Sequence, residues 1–197
     1  MTTLKAEKRS MDIKAKKLRR EGYVTGNLFG HNIAGSVPLK LNKPDVEQLM
    51  KECGKGSQVI LNVEGEKRNV LIKEISYNFM NKMVEEIDFQ ALVADERVHS
   101  VAEIVLLNHD AVSGGIVEQH LEEIPYVAYP SALVDRIEVD VAGMKVGDTI
   151  HVKDLAVAKN PEITLHIDPE KAVVTVSLPH MAAASDAGET EDEAETK

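Results

Sequence analysis

Residues 5–30 read KAEKRSMDIKAKKLRREGYVTGNLFG, and this stretch decides how the beginning of the chain folds. Alternating polar and apolar residues predict a first strand over residues 2–9. A short basic helix is predicted over residues 13–21, with Leu18 as the side chain that anchors it. Gly22 then ends the helix, because glycine adopts the left-handed conformation found at helix C-termini at little cost.

A second strand is predicted over residues 23–29, immediately after this helix. Gly26 interrupts it, and a glycine inside a strand marks a bulge or a close approach of another backbone. A longer helix is predicted over residues 43–53, with Asn42 as its expected N-cap. Cys53 lies on the apolar face of that helix. It is interpreted as a buried core residue rather than a reactive thiol, because no base or metal partner can be placed beside it.

Most of the remaining chain alternates in the manner of short strands. Residues 116–124 are predicted to form one strand, residues 125–130 to bend the chain, and residues 78–85 to form a connection. The pattern predicts a mainly β fold with a few short helices, in which a small antiparallel β-barrel or an α+β domain at the N-terminus precedes a C-terminal β-sheet domain. Further strands are predicted over residues 37–41, 59–63, 68–77, 86–93, 101–107, 136–141, 163–167 and 172–178.

The composition predicts a soluble protein of the cytoplasm. The chain has 197 residues, of which 43% are hydrophobic. No apolar run approaches the ~20 residues needed to span a bilayer, so no membrane partner is expected. The N-terminus lacks the apolar core and cleavage site of a secretory signal. The single cysteine excludes an internal disulfide framework and fits a reducing compartment.

The net charge of −10 hides an asymmetry between the two halves of the chain. Residues 1–91 hold sixteen Lys or Arg and twelve Asp or Glu, whereas residues 92–197 hold seven and twenty-one. Two halves of opposite sign suggest two modules, of which only the first suits a polyanion. Uneven drift of surface charge is the alternative. The expected domains are residues 1–93 and residues 94–180, followed by a disordered acidic tail over residues 181–197.

Catalytic and metal-binding patterns are weak in this sequence. The seven histidines are scattered singly and there is no CxxC motif, so neither a metal site nor a cofactor is expected. His109, Asp110 and Ser113 lie close together, but neighbours along a chain seldom point at one another, and no nucleophile-elbow motif is present. The chain is therefore predicted not to be an enzyme, and a hydrolase is only the third hypothesis.

The basic block over residues 5–20 is the clearest functional signal. Eight of the first twenty residues are Lys or Arg, against two acidic residues, in a chain that is acidic as a whole. Closely spaced cations neutralise phosphates and release counterions, which is the main source of nucleic-acid affinity. The alternative is an ordinary solvated helix face. The block predicts an RNA-binding surface that includes Arg19 and Arg20.

Three parts of the sequence also match one known pattern. They are AEKR at residues 6–9 with LRREGYVTGNLFG at residues 18–30, VLIKEI at residues 70–75 with EIDF at residues 86–89, and RIEVDVAGMKVGDTIHVKDL at residues 136–155. In order and spacing they resemble the Ctc (general stress protein) family of bacterial large-subunit ribosomal proteins, which bind 5S rRNA. The resemblance implies an N-terminal β-barrel that docks on the loop E region of 5S rRNA, and a C-terminal β domain.

The resemblance also implies partners and contact residues. The chain is expected to be a monomer when free and to join 5S rRNA in the large ribosomal subunit. Its C-terminal domain is expected to meet neighbouring ribosomal proteins. Together with the basic block, the expected RNA-binding residues are Arg9, Lys14, Lys16, Lys17, Arg19, Arg20, Phe29, Lys73, Glu86 and Asp88.

Some positions depart from the family pattern. Phe29 replaces the usual tyrosine and lacks its hydroxyl, and residues 77–79 replace an RHP-like triplet. Glu86 stands where the family usually has histidine, and a carboxylate that faces phosphates repels RNA. These changes motivate an alternative function. The chain would be a diverged stress-associated paralogue that acts as a protein-interaction module with weakened or lost rRNA binding.

Overall fold

The structure is a computed structural model that describes residues 2–33, 35–112 and 114–178. The predicted acidic tail over residues 181–197 lies outside the described residues. The N-terminal half forms strands and two helices. They are β1 (Thr3–Lys8), α1 (Ala15–Arg20), β2 (Tyr23–Phe29), β3 (Val37–Asn42), α2 (Lys43–Glu52), β4 (Gln58–Val63), β5 (Glu66–Asn78) and β6 (Met83–Ala91).

These six strands close into a barrel in the order β1-β3-β2-β6-β5-β4. The N-terminal barrel predicted from the sequence is therefore confirmed. Four of its pairs are antiparallel, whereas β1 pairs with β4 and β2 pairs with β6 in parallel. Closure pairs both edges of every strand of the barrel, which removes the exposed edges that promote aggregation.

Aliphatic side chains fill the barrel because the inward positions alternate along each strand. Leu39, Ile87 and Phe89 are completely buried, and Phe89 is the largest of these side chains. Helix α2 packs on the barrel through Val46 and Leu49, which are also buried. Full burial of one such side chain is worth about 1.5–3 kcal/mol, so this shared core dominates the stability of the N-terminal half.

The two ends of α2 differ from the expectation. Asn42 occupies the N-cap position, as predicted, but its side chain makes no capping hydrogen bond to the backbone. Its amide Nδ2 instead donates to Asp45 Oδ2 at 3.4 Å. Cys53, expected to be fully buried, is half-buried and packs against the edge of the core.

The C-terminal half is also built of strands, so the predicted mainly β fold is confirmed. They are β7 (Val98–Leu107), β8 (Ile116–Gln119), β9 (Glu123–Ala128), β10 (Arg136–Asp140), β11 (Thr149–His151), β12 (Thr164–Leu165) and β13 (Ala172–Ser177). One sheet has the order β10-β7-β9-β12 and the other the order β11-β13-β8. Among the described residues, no helix has the length and apolar character to span a bilayer.

The single strand predicted over residues 116–124 is wrong. The chain forms β8 and β9 there, which belong to different sheets, and residues 120–122 carry it from one sheet to the other. The Gln119 side chain holds this crossing, because its amide donates to two backbone carbonyls at 3.2 and 2.9 Å. The alternation of polar and apolar residues across 116–124 therefore covers two strands of different sheets rather than one.

Two predicted connections are also partly strand. Residues 125–130 were expected to bend, but Pro125 lies inside β9, where its carbonyl accepts from the His166 N–H at 3.0 Å. This position uses only the carbonyl, so the missing proline N–H costs nothing. Half of residues 78–85 belong to the paired ends of β5 and β6, and residues 79–82 form the turn.

The barrel meets the C-terminal half through polar contacts near β4. Lys55 Nζ pairs with Glu123 Oε2 at 2.9 Å, and Ser57 Oγ donates to Asp135 Oδ2 at 3.3 Å. Between them, Gly56 has no room for a Cβ, which would collide with backbone of the C-terminal half. The predicted domain division lies in the link between β6 and β7, and it stays a prediction.

Gly26 lies where β2 meets β6, and its backbone has no room for a side chain. A Cβ there would lie 2.3 Å from the carbonyl oxygen of Ile87, so the predicted close backbone approach is confirmed. We expect Gly26→Ala to lower the free energy of unfolding by about 1–3 kcal/mol, because the strands must shift to relieve the overlap. Chemical denaturation measures this change.

Gly54→Ala is the matched control, because a Cβ at Gly54 meets only Glu103 Oε2, at 3.8 Å. Its unfolding free energy should stay within about 0.5 kcal/mol of the natural protein. Equal stabilities of the two variants would show that the β2–β6 contact does not constrain the barrel.

Candidate nucleic-acid interface

Helix α1 presents the basic block on an exposed face. Leu18 is buried and anchors the helix to the barrel, as predicted. Gly22 follows the helix with a φ of +89°, which confirms the predicted glycine ending. The exposed cations at and next to this helix are Lys14, Lys16, Lys17 and Arg20.

Arg19 differs from these neighbours because its half-buried guanidinium makes hydrogen bonds and ion pairs within the protein. Its Nε donates to the Glu85 carbonyl at 3.2 Å, and one terminal nitrogen donates to Thr25 Oγ1 at 3.3 Å. The carboxylates of Glu85 and Glu86 lie 3.5 and 3.9 Å from its terminal nitrogens. Arg19 therefore fastens α1 to the parallel pair of β2 and β6.

The outer faces of β2 and β6 form a polar strip. The parallel register places Asn27 beside Asp88, and the Asn27 amide donates to Asp88 Oδ1 at 3.0 Å and to Glu86 Oε1 at 3.3 Å. Phe29 lies half-buried at the end of β2. On the other side, Glu74 of β5 is the register partner of Asp88. The strip is acidic. Arg19 neutralises part of its charge, and Asn27 donates hydrogen bonds to its carboxylates.

Arg9 supports the segment that leads into α1. One of its terminal nitrogens donates to the Ile13 carbonyl at 2.9 Å, and its backbone N–H donates to the Pro38 carbonyl, also at 2.9 Å. Within the described part of the chain, Nε of Arg9 is buried without a hydrogen-bond partner. This side chain is half-buried and positions the loop before the basic helix.

Lys73 is not brought together with the other predicted contact residues. Its ammonium donates to the His99 carbonyl at 2.8 Å, at the junction with the C-terminal half. Burial lowers the pKa of Lys73, and the nearby Lys55 lowers this pKa further. The structure thus gives Lys73 a role in joining the two halves, and its contact with RNA stays a prediction.

A groove of about 460 Å³ that was not predicted from the sequence runs beside α1. Lys43 adds a cation to it from the first turn of α2. The first turn of a helix is the positive end of its dipole, so a lysine there is unfavourable for helix stability. This unusual placement of Lys43 is the sequence signal that could have pointed to a binding role. The groove is lined by side chains that include Lys16, Arg20, Tyr23, Lys43, Asn81 and Met83.

Two residues of the hydrolase hypothesis, His109 and Asp110, lie on open surface. His109 Nε2 is 3.1 Å from Asp110 Oδ1, and both side chains are mostly exposed. Ser113 lies outside the described residues. Within the residues that the structure describes, no cluster of three His, Cys, Asp or Glu side chains could hold a metal ion.

Comparison with known proteins gives a consistent result along both halves of the chain. The model of the Ribosomal L25p family matches residues 4–89, and the model of the ribosomal protein TL5 C-terminal domain matches residues 97–180. Large ribosomal subunit protein bL25 of Burkholderia multivorans is 30% identical over 182 residues, which cover 90% of each chain.

Two further relatives carry the same name, large ribosomal subunit protein bL25. The Caldanaerobacter subterraneus protein is 28% identical over 194 residues, covering 97% of this chain and 94% of its own length. The Listeria monocytogenes protein is 27% identical over 182 residues, covering 90% and 86%. The chain therefore belongs to the bL25 (Ctc) family of bacterial large-subunit ribosomal proteins, and it is a structural ribosomal protein rather than an enzyme.

Proposed function

We propose that the chain binds 5S rRNA in the large ribosomal subunit through the basic surface of its N-terminal barrel. The exposed cationic face of α1 is the observation that carries the proposal. Among the described residues, Lys14, Lys16 and Arg20 have no carboxylate within ion-pair distance. Such cations gain free energy from phosphates, because binding releases counterions from the RNA.

The bound Arg19 orients this surface. It holds α1 against β2 and β6, so the exposed cations stand in a fixed arrangement beside the acidic strip. Like charges repel, so Glu86 and Asp88 disfavour a phosphate backbone that lies across the strip. An RNA helix is therefore guided to the α1 side, and base edges or riboses rather than phosphates face the carboxylates.

The C-terminal half has a different role in this proposal. Its charge is strongly negative, because residues 92–197 contain seven Lys or Arg and twenty-one Asp or Glu. That balance disfavours RNA and suits contact with basic neighbours, which are abundant among proteins that bind RNA. We propose residues 1–93 as the rRNA-binding domain and residues 94–180 as a domain that contacts neighbouring ribosomal proteins in the cytoplasmic ribosome.

We expect the double variant Lys16→Ala/Lys17→Ala to bind 5S rRNA about tenfold more weakly at ~150 mM salt. The plot of log affinity against log salt should lose a slope of about 2, one for each phosphate contact removed. Alanine preserves the helix, so folding should not change. Filter binding across a salt series measures both quantities.

The control is Lys145→Ala/Lys159→Ala, which removes the same charge from exposed positions of the C-terminal half. It should change neither the affinity nor the salt slope beyond about twofold. If both double variants weaken binding equally, net charge rather than the α1 surface governs the interaction. Failure of the natural protein to bind at ~150 mM salt would reject the proposal itself.

Glu86 generates a prediction of opposite sign. Glu86→His removes a negative charge from the strip and supplies a donor, so we expect about three- to tenfold tighter binding to 5S rRNA, which is about 1 kcal/mol. Glu162→Gln removes one charge from an exposed position of the C-terminal half and should have no effect. Unchanged affinity of Glu86→His would mean that Glu86 does not face the RNA.

A second candidate function is a protein-interaction module without high rRNA affinity, and the acidic strip of Glu74, Glu86 and Asp88 is the observation that favours it. Separation of cell lysate on a sucrose gradient distinguishes the two. Sedimentation with large subunits after a wash at moderate salt supports 5S rRNA binding. A ribosome-free protein at natural expression supports the interaction module.

A further inference from the structure

The hairpin tip, residues 79–82 between β5 and β6, exposes large apolar side chains. Phe79 is 83% exposed and Met80 is 94% exposed, and the neighbouring Tyr77 is 44% exposed. Single exposed apolar side chains are common. Three within residues 77–80, at the end of β5 and in the turn, form a patch of the kind that binds a partner. Neither the core nor the proposed α1 surface uses these side chains.

The hairpin tip is fixed rather than loose. Asn78 Oδ1 accepts hydrogen bonds from the backbone N–H groups of Met80 and Asn81 at 3.0 and 3.1 Å. The amide of Asn78 donates to Glu85 Oε1 at 2.8 Å, across the hairpin. These bonds hold the turn in one shape, so the side chain of Phe79 is presented outward with little further ordering cost on binding.

The two aromatic rings support each other. The rings of Tyr77 and Phe79 meet edge to face, with centroids 5.2 Å apart and planes at 70°. In this arrangement the edge of one ring contacts the face of the other, which leaves one face of Phe79 free for a flat partner. Phe79 is therefore an exposed aromatic ring supported by Tyr77. This pair of rings forms a platform on which a flat partner can stack.

The platform adjoins the cationic groove beside α1. Asn81 and Met83, at the turn and at the start of β6, line the same groove as Lys16, Arg20 and Lys43. Its lining contains four Lys or Arg side chains and one carboxylate. Arg19 pairs with Glu85 and Glu86, and Lys43 Nζ lies 3.7 Å from Glu47 Oε1, so Lys16 and Arg20 supply the open positive charge. A polyanion that lies in this groove therefore reaches Asn81 of the hairpin tip.

We propose that the hairpin tip stacks on an unpaired base of 5S rRNA, with Phe79 as the stacking ring. This inference rests on the proposed function and extends it from the phosphate backbone to the bases. An aromatic ring beside a cationic groove matches how proteins bind single-stranded or looped RNA, where bases stack on rings and cations follow the backbone. An apolar pocket on a protein would complement Phe79 but not the neighbouring cations.

The chain has no tryptophan, so Phe79→Trp places a single fluorophore at the platform. Stacking on a base should quench its emission and protect it from acrylamide when 5S rRNA is added. Tyr129→Trp is the control, because Tyr129 is also a partly exposed aromatic residue but lies in the C-terminal half. The Tyr129→Trp emission should not respond to the RNA.

The 5S rRNA affinities of variants without an introduced tryptophan test whether stacking contributes to binding. We expect Phe79→Leu to weaken 5S rRNA binding at least ~5-fold, because leucine retains the apolar surface but cannot stack. Phe79→Tyr should bind as the natural protein does. Met80→Leu, at the still more exposed neighbour, should also leave the affinity unchanged.

Three results would overturn this inference. If 5S rRNA binds with full affinity but does not change the Phe79→Trp emission, the hairpin tip does not stack, and the proposed function stands. If the fluorophore is protected only in assembled large subunits and not by 5S rRNA alone, the hairpin tip docks on another subunit component. If the natural protein binds no 5S rRNA, the inference and the proposed function fail together.

Discussion

The parallel contact between β2 and β6 is the constraint on which the N-terminal half depends. Gly26 allows the carbonyl of Ile87 to approach where a Cβ would overlap it. This contact closes the barrel and places Asn27 beside Asp88. It also brings the Glu85 carbonyl within reach of Arg19. The closed core and the two parts of the candidate RNA surface, helix α1 and the polar strip of β2 and β6, therefore follow from one tight backbone approach.

Arg19 shows how a cation can position a candidate RNA surface through contacts within the protein. Its half-buried guanidinium makes hydrogen bonds to a carbonyl and a hydroxyl as well as ion pairs. Hydrogen bonds to charged groups are worth about 1.5–3 kcal/mol, whereas exposed ion pairs are worth about 0–1 kcal/mol. The main contribution of Arg19 is thus to fix the position of α1, and its more exposed neighbours present the charge.

The sequence contained much of the local structure but little of the long-range pairing. Strand β2, the end of α1 at Gly22 and the close approach at Gly26 depend on neighbours along the chain or on backbone sterics, and each was predictable. The parallel register of β2 with β6 joins residues about sixty positions apart, and alternation does not encode the partner. The resemblance places Lys73 among the expected RNA contacts, and its hydrogen bond to the His99 carbonyl, 26 positions away along the chain, could not be read from the sequence.

The distribution of paired charge explains why the candidate surface is local. In the described part of the barrel, carboxylates pair with several cations and so reduce the free positive charge. These cations are Lys8, Lys17, Arg19, Lys40, Lys43, Lys55 and Arg68. Lys14, Lys16 and Arg20 lie on one exposed helix, and Lys82 lies at the hairpin tip. Since screening limits exposed charges to a range of about 8–10 Å, only cations this close together act jointly on a phosphate backbone. Among the described residues, Lys14, Lys16 and Arg20 on and next to α1 therefore remain as closely spaced cations without a paired carboxylate, and the candidate surface depends on this local arrangement.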